Sequence, residues 1–250
     1  MQGITYVTLS AQIALQKELE TVANNVANSD TAGFKADRPL FESYLDPLQT
    51  PGGGGVTFVQ DAASYIDRSS GEIETTGNPL DIALDGKGYL SVATKQGTMY
   101  SRDGHLQAGS DNTLLGDGGN PLLGADGAPI QLPDGYTQIQ IKADGSIKAK
   151  VSGRWTDVAQ IGVYMPNDPT QVQKSGSGLL SAPQNDMQAV TPDLGGARII
   201  QGSVESSTVK PMKEIANMTE LSRAYDRLQS VLNEENDIEE KMIDTLSKPS

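Results

Sequence analysis

The chain keeps its helical patterns for its two ends and its strand patterns for the middle, and that division limits what it can fold into. From about Ile4 to Asn28, the apolar residues Ile4, Val7, Ala11, Ala14, Leu15, Leu19, Val22 and Val26 recur every three or four positions. That spacing puts them on one stripe of an α-helix, with Gln12, Gln16, Lys17, Glu18 and Glu20 largely off it. Asn28, Asp30 and Gly33 end the pattern, and glycine is the natural residue for a left-handed turn at a helix end. A second helix is expected from about Pro211 to Leu246, because proline fits a first helical position that needs no amide hydrogen. Met212, Ile215, Met218, Leu221, Tyr225, Leu228 and Leu232 form its stripe. From Met218 to Leu232 the intervals alternate three and four, a short coiled-coil register. Glu235 and Glu239 take the next core positions and break it, and Ile238, Met242 and Leu246 resume it in a shifted register.

Between the helices the pattern changes. Phe34 to Leu48 reads as an extended arm with apolar anchors, where Pro39 and Pro47 prevent a long helix. Pro51 and the four glycines Gly52 to Gly55 form a flexible break and a candidate boundary. From Val56 to about Gly202, strand runs such as Val56–Val59, Leu80–Leu84, Gly88–Val92, Tyr136–Ile141, Ser146–Val151 and Asp157–Tyr164 follow one another. Several alternate apolar with polar residues, as half-buried antiparallel strands do. Six Asp-Gly pairs separate them, and both residues tolerate the positive φ of hairpin turns. The expected fold is therefore α+β: helices 1–34 and 205–250 in one discontinuous domain, an arm and linker over 35–55, and an all-β domain over 56–204.

Composition narrows the function. The net charge of -13, from 32 acidic and 19 basic residues, opposes binding to nucleic acid or to an anionic membrane. No apolar run approaches the ~20 residues of a membrane span. The N-terminus shows no basic segment ahead of an apolar core, so no cleavable secretory signal is expected. The absence of cysteine excludes disulfides, thiol catalysis and thiolate metal sites. His105, the single histidine, lies beside an expected turn, with no nucleophile motif in the sequence to pair with it. The Asp-Gly pairs lack the spacing of a calcium loop, and Gly86-Lys87-Gly88 lacks the spacing of a phosphate loop. No catalytic residue, metal site or cofactor is expected. A β domain that binds or cleaves glycan, using carboxylates from distant strands, is the competing reading.

Three stretches carry a resemblance. The first runs Asn24-Asn25-Val26-Ala27-Asn28, then Thr31-Ala32-Gly33-Phe34-Lys35. The second holds Thr76-Gly77-Asn78-Pro79-Leu80-Asp81, Gly86 and Gly88, followed by Arg102-Asp103-Gly104. The third is Gly202-Ser203-Val204-Glu205 through Val209, leading into the last helix. Together, and in this order, they resemble the bacterial flagellar rod and hook proteins, with the proximal-rod type fitting better than the distal-rod type. Lys210 and Thr208 depart from asparagines common in that family, and Ser101 and His105 from its usual threonine and phenylalanine.

The resemblance implies paired terminal helices in a coiled-coil-like core domain with a β domain outside it. It implies a structural subunit that polymerises with itself and with other rod proteins. Passage through the flagellar type III export apparatus, a place in the periplasm and contact with the rings around the rod follow from the same likeness. The residues it marks for assembly are the two helical stripes, the turn from Asn24 to Phe34, and the β-domain motif. The fragment 56–202 is expected to stand alone as a soluble β monomer, and the termini to order on assembly.

Overall fold

The computed structural model describes residues 2–46, 56–175, 178–192 and 197–247. Two helices frame a β-rich middle: α1 spans Gln2–Ala27 and α2 spans Pro211–Ser247. Every ladder with a described register is antiparallel. The architecture is α+β, as the change of period at each end predicts.

The chain divides into two compact units. A helical unit comprises Met1–Ala27, Asp37–Tyr65 and Lys210–Ser250, and a β-rich unit comprises Asn28–Ala36 and Ile66–Val209. These limits differ from those expected from sequence in two places. Strand Val56–Ile66, expected to open the β domain, pairs with strand Asp37–Asp46 and groups with the helices. The turn Asn28–Ala36, expected to belong with α1, groups with the β-rich unit. In the first place the strand pairs with its neighbour just before it in sequence, and in the second, partners far along the chain, such as Glu205, outweigh the local pattern. The expected arm is thus a strand over Asp37–Asp46, and the glycines Gly52 to Gly55 lie outside the described residues.

In the helical unit, side chains tie the end of α1 to the start of α2 through the strand between them. The Asn25 side chain is buried, donating to the Asp37 carbonyl and accepting from the Asp37 amide, both at 2.9 Å. The next residue, Arg38, reaches the Glu214 carboxylate at 2.8 Å. Glu214 lies in the first turn of α2, where the helix dipole favours an anion. Further along, Gln12 Nε2 donates to the Tyr225 hydroxyl at 3.0 Å and to Gln229 Oε1 at 2.9 Å. The two helices therefore run antiparallel.

The β-rich unit has its own core. Leu90, Leu106, Leu114, Leu122, Ile130, Ile147 and Ile161 are at most 2% exposed. A six-stranded sheet orders Gln173–Lys174, Leu180–Ser181, Gly97–Ser101, Tyr89–Thr94, Val163–Pro166 and Met187–Val190 side by side. A three-stranded sheet joins Arg154–Gln160, Ser146–Val151 and Tyr136–Ile141. Two short ladders bring the returning chain back to the motif region: Ala197–Gln201 on Ile82–Gly86, and Ser203–Glu205 on Ile73–Thr75.

Candidate functional site

The β-rich unit gathers parts of all three motif stretches around one buried carboxylate, that of Glu205. Lys35 Nζ meets Glu205 Oε1 at 2.6 Å, and Arg102 Nη1 meets Glu205 Oε2 at 2.7 Å. The Gly71 amide donates to Glu205 Oε1 at 2.8 Å. Each of the three charged side chains is at most 6% exposed. Further bonds fix the two cations. Lys35 Nζ donates to the Ser69 carbonyl at 2.7 Å, while Arg102 donates to the carbonyls of Leu84 at 3.0 Å and Gly86 at 2.5 Å. The Arg102 guanidinium also lies 5.5 Å from the centre of the Tyr89 ring. Burial pushes the Lys35 pKa down, against the opposing pull of Glu205. Burial also raises the pKa of Tyr89.

Backbone contacts complete the arrangement. The Gly33 amide donates to the Glu205 carbonyl at 2.6 Å, and the Thr208 amide donates to the Phe34 carbonyl at 3.0 Å. The Ala36 amide donates to Thr208 Oγ1 at 2.9 Å. Lys174 Nζ donates to the Lys35 carbonyl at 2.6 Å and sits 3.9 Å from the centre of the Phe34 ring. Phe34, Ala36 and Val209 form a small apolar cluster of their own. Gly33 takes φ +67°, and a Cβ there would lie 2.2 Å from the Arg102 carbonyl carbon. Only glycine fits, on conformational and steric grounds alike.

The Thr76–Asp81 motif builds a second polar knot in the same unit. The buried Asp81 accepts from Thr76 Oγ1 at 2.6 Å and from Asn78 Nδ2 at 2.9 Å. His105 Nδ1 lies 3.1 Å from Asp81 Oδ1. The Pro79 carbonyl accepts from Gln201 Nε2 at 2.7 Å, and Leu80 packs on the main core. The amides of Thr76 and Gly77 both donate to the Gly202 carbonyl, and Gly202 donates back to the Asp81 carbonyl. Gly104 passes so close to the next strand that a Cβ would lie 1.6 Å from the Ile82 carbonyl oxygen. Gly88 packs against Val163. His105, expected beside a turn, instead forms an isolated antiparallel bridge with the structural aspartate Asp81. Among the described residues, no three His, Cys, Asp or Glu side chains group as a metal site.

The helical stripes are placed differently. On α1, Val22 is buried, whereas Ala11, Leu15, Leu19 and Val26 are half-buried. The side chains of Ile4 and Val7 lie outside the described residues. Asn24 and Ala27 are exposed, and Asn28 is half-buried and accepts from the Thr31 hydroxyl at 3.3 Å. On α2, Leu221, Tyr225, Leu228 and Leu232 are half-buried, whereas Met212, Ile215 and Met218 face solvent.

Sequence reasoning marks Arg102, Gly33 and Phe34 but does not single out Lys35 and Glu205 as a pair. The one available signal is a charged residue in an otherwise apolar or small-residue setting, as in Gly33-Phe34-Lys35 and Ser203-Val204-Glu205.

Family comparisons meet this geometry at each of its three parts. The model of the flagella basal body rod protein matches residues 6–35, that of the flagellar hook protein FlgE/F/G D1 domain residues 83–149, and that of the flagellar basal body rod FlgEFG protein C-terminal residues 200–245. Lys35, Arg102 and Glu205 fall one in each match. The chain belongs to the flagellar basal-body rod protein family, and it is a structural rod subunit, not an enzyme. Its relatives include the flagellar basal-body rod protein FlgF of Mesorhizobium japonicum, 33% identical with 100% of both chains covered. FlgF of Caulobacter vibrioides is 30% identical over 99% of each chain. The rod protein FlgG of Bacillus subtilis is 28% identical, covering 95% of this chain and 97% of its own.

Proposed function

We propose that the chain is a proximal-rod subunit that stacks helically into the drive shaft of the flagellar motor, with α1 and α2 making the contacts between copies. The observation that carries this reading is the apolar surface both helices leave in solvent. Leu9 and Ile13 on α1, and Met212, Ile215, Met218, Val231 and Ile238 on α2, are exposed, Met212 to 82%. Full burial of an exposed side chain of this kind is worth about 1.5–3 kcal/mol, and covering a half-exposed one about half as much, so neighbouring subunits that cover several of these residues gain. Contacts that repeat head to tail without closing build a tube of subunits. A coiled-coil-like seam along Met218 to Leu232 fits the three-four spacing there.

The proximal position is supported by relatives named FlgF at 30% identity and above. The relative named FlgG at 28% keeps a distal-rod position as the second reading. The assembly residues are the two stripes, the Asn24–Phe34 turn and the Thr76–Gly104 motif. Other rod subunits, the type III export apparatus and the surrounding rings are the partners, with the finished rod in the periplasm. A helix with one apolar stripe is marginal alone in water, so the terminal helices order as the subunit joins the rod.

Purified basal bodies test the reading. The chain should be found in the rod fraction, and a variant carrying Ile215→Glu with Met218→Glu should be exported but missing from it. Incorporation of that variant at the wild-type level would overturn the role given to the α2 stripe.

A further inference from the structure

Each terminal helix joins the β-rich unit through a short segment: α1 through Asn28–Ala36, and α2 through the residues after strand Ser203–Glu205. Those two segments hold each other inside the β-rich unit. Gly33 bonds the Glu205 backbone, Thr208 bonds the Phe34 and Ala36 backbone, and Lys35 pairs with the Glu205 side chain. The Asp67 amide also donates to the Ala36 carbonyl at 2.8 Å. Asn28–Ala36 contains no helix or strand of its own, so no regular ladder keeps it in place. Its attachment rests on these bonds, on the Lys174 contacts to Lys35 and Phe34, on the small apolar cluster of Phe34, Ala36 and Val209, and on one buried ion cluster.

We infer that Glu205 is an electrostatic latch that fastens the strap Asn28–Ala36 to the segment that follows strand Ser203–Glu205, inside the β-rich unit. Glu205 suits this role because its carboxylate is shared between a cation of the strap, Lys35, and a cation of the sheet, Arg102. Removing one member of a buried ion cluster leaves an uncompensated charge, which is far worse than losing a surface pair. The strap therefore stays docked in the free subunit whether or not the helices are ordered, and order begins at about Asn28 rather than at Val56. This goes beyond the rod reading, because it depends only on bonds within the β-rich unit. A fragment limited to 56–202 lacks both Lys35 and Glu205 and leaves Arg102 buried without its counter-charge.

Hydrogen exchange on the full-length monomer tests the latch. In the wild type, the amides of Gly33, Ala36, Asp67 and Thr208 should be protected. In Glu205→Gln they should lose protection at least about tenfold, which corresponds to about 1.4 kcal/mol, while the core amides of Leu122 and Ile130 keep theirs. Should Glu205→Gln unfold throughout, Lys35→Met is the variant to read, since it leaves the Arg102–Glu205 pair in place. It should free the same strap amides and spare the core. Unprotected strap amides in the wild type would overturn the latch. So would strap protection unchanged in Lys35→Met, or strap and core amides falling together in Lys35→Met.

Discussion

The β-rich unit buries what it needs for its own stability, and the terminal helices do not. In the first, Leu114, Leu122, Ile147 and Ile161 show no measurable exposure, and the charged cluster inside is paired. In the second, Ile13 and Ile215 are about half exposed. The difference separates two tasks in one chain. A unit that must hold its shape encloses its apolar groups, and surfaces that meet other copies leave theirs uncovered until the partners arrive.

The largest expected effect breaks the self-sufficient side of this comparison. Arg102→Met removes a cation bonded to Glu205, Leu84 and Gly86, and should destabilise the β-rich unit by about 3–5 kcal/mol. A urea midpoint followed by tyrosine fluorescence measures it. A midpoint close to wild type would mean that the ion cluster is dispensable to the unit.

A smaller effect sharpens the other side. The exposed pair Ile215→Glu with Met218→Glu should change monomer stability by no more than about 0.5 kcal/mol, as surface substitutions usually do. Loss of incorporation without loss of stability separates an assembly surface from a core. A large drop in the monomer midpoint would show instead that the stripe already supports the free subunit.

The smallest effect concerns pH. Burial, and then the nearby Asp103 carboxylate, raise Asp117 to about 6. A carboxyl that holds its proton more tightly when folded favours the folded state at low pH. Stability should therefore decline as pH climbs from about 4 through about 6, and this part should level off above. Asp117→Asn should flatten that part of a melting-temperature profile measured across the range. An unchanged slope would assign it to other groups.

Much of this was legible in the residues. The change from a period of three or four to alternation, and back again, places α1, the strands and α2 close to where they lie. Pro211 marks the start of α2. The Asp-Gly turn at Asp144-Gly145 sits between two paired strands, as its chemistry predicts. These features rest on forces between neighbours in sequence: φ preferences, side-chain periodicity and capping.

The rest required the tertiary structure. Asp37–Asp46 reads as an arm until its partner strand is known, because a ladder bond belongs to two segments. The end of α1 near Asn28 is legible, but the grouping of Asn28–Ala36 with the β-rich unit has no periodic signal. Lys35 and Glu205 lie 170 residues apart, and Arg102 and Glu205 lie 103 apart. No local propensity links them. The sequence by itself determined the elements and the family likeness through short-range preferences. Only the folded chain decided which charges share one dry site, because burial makes such a charge too costly to leave without its partner.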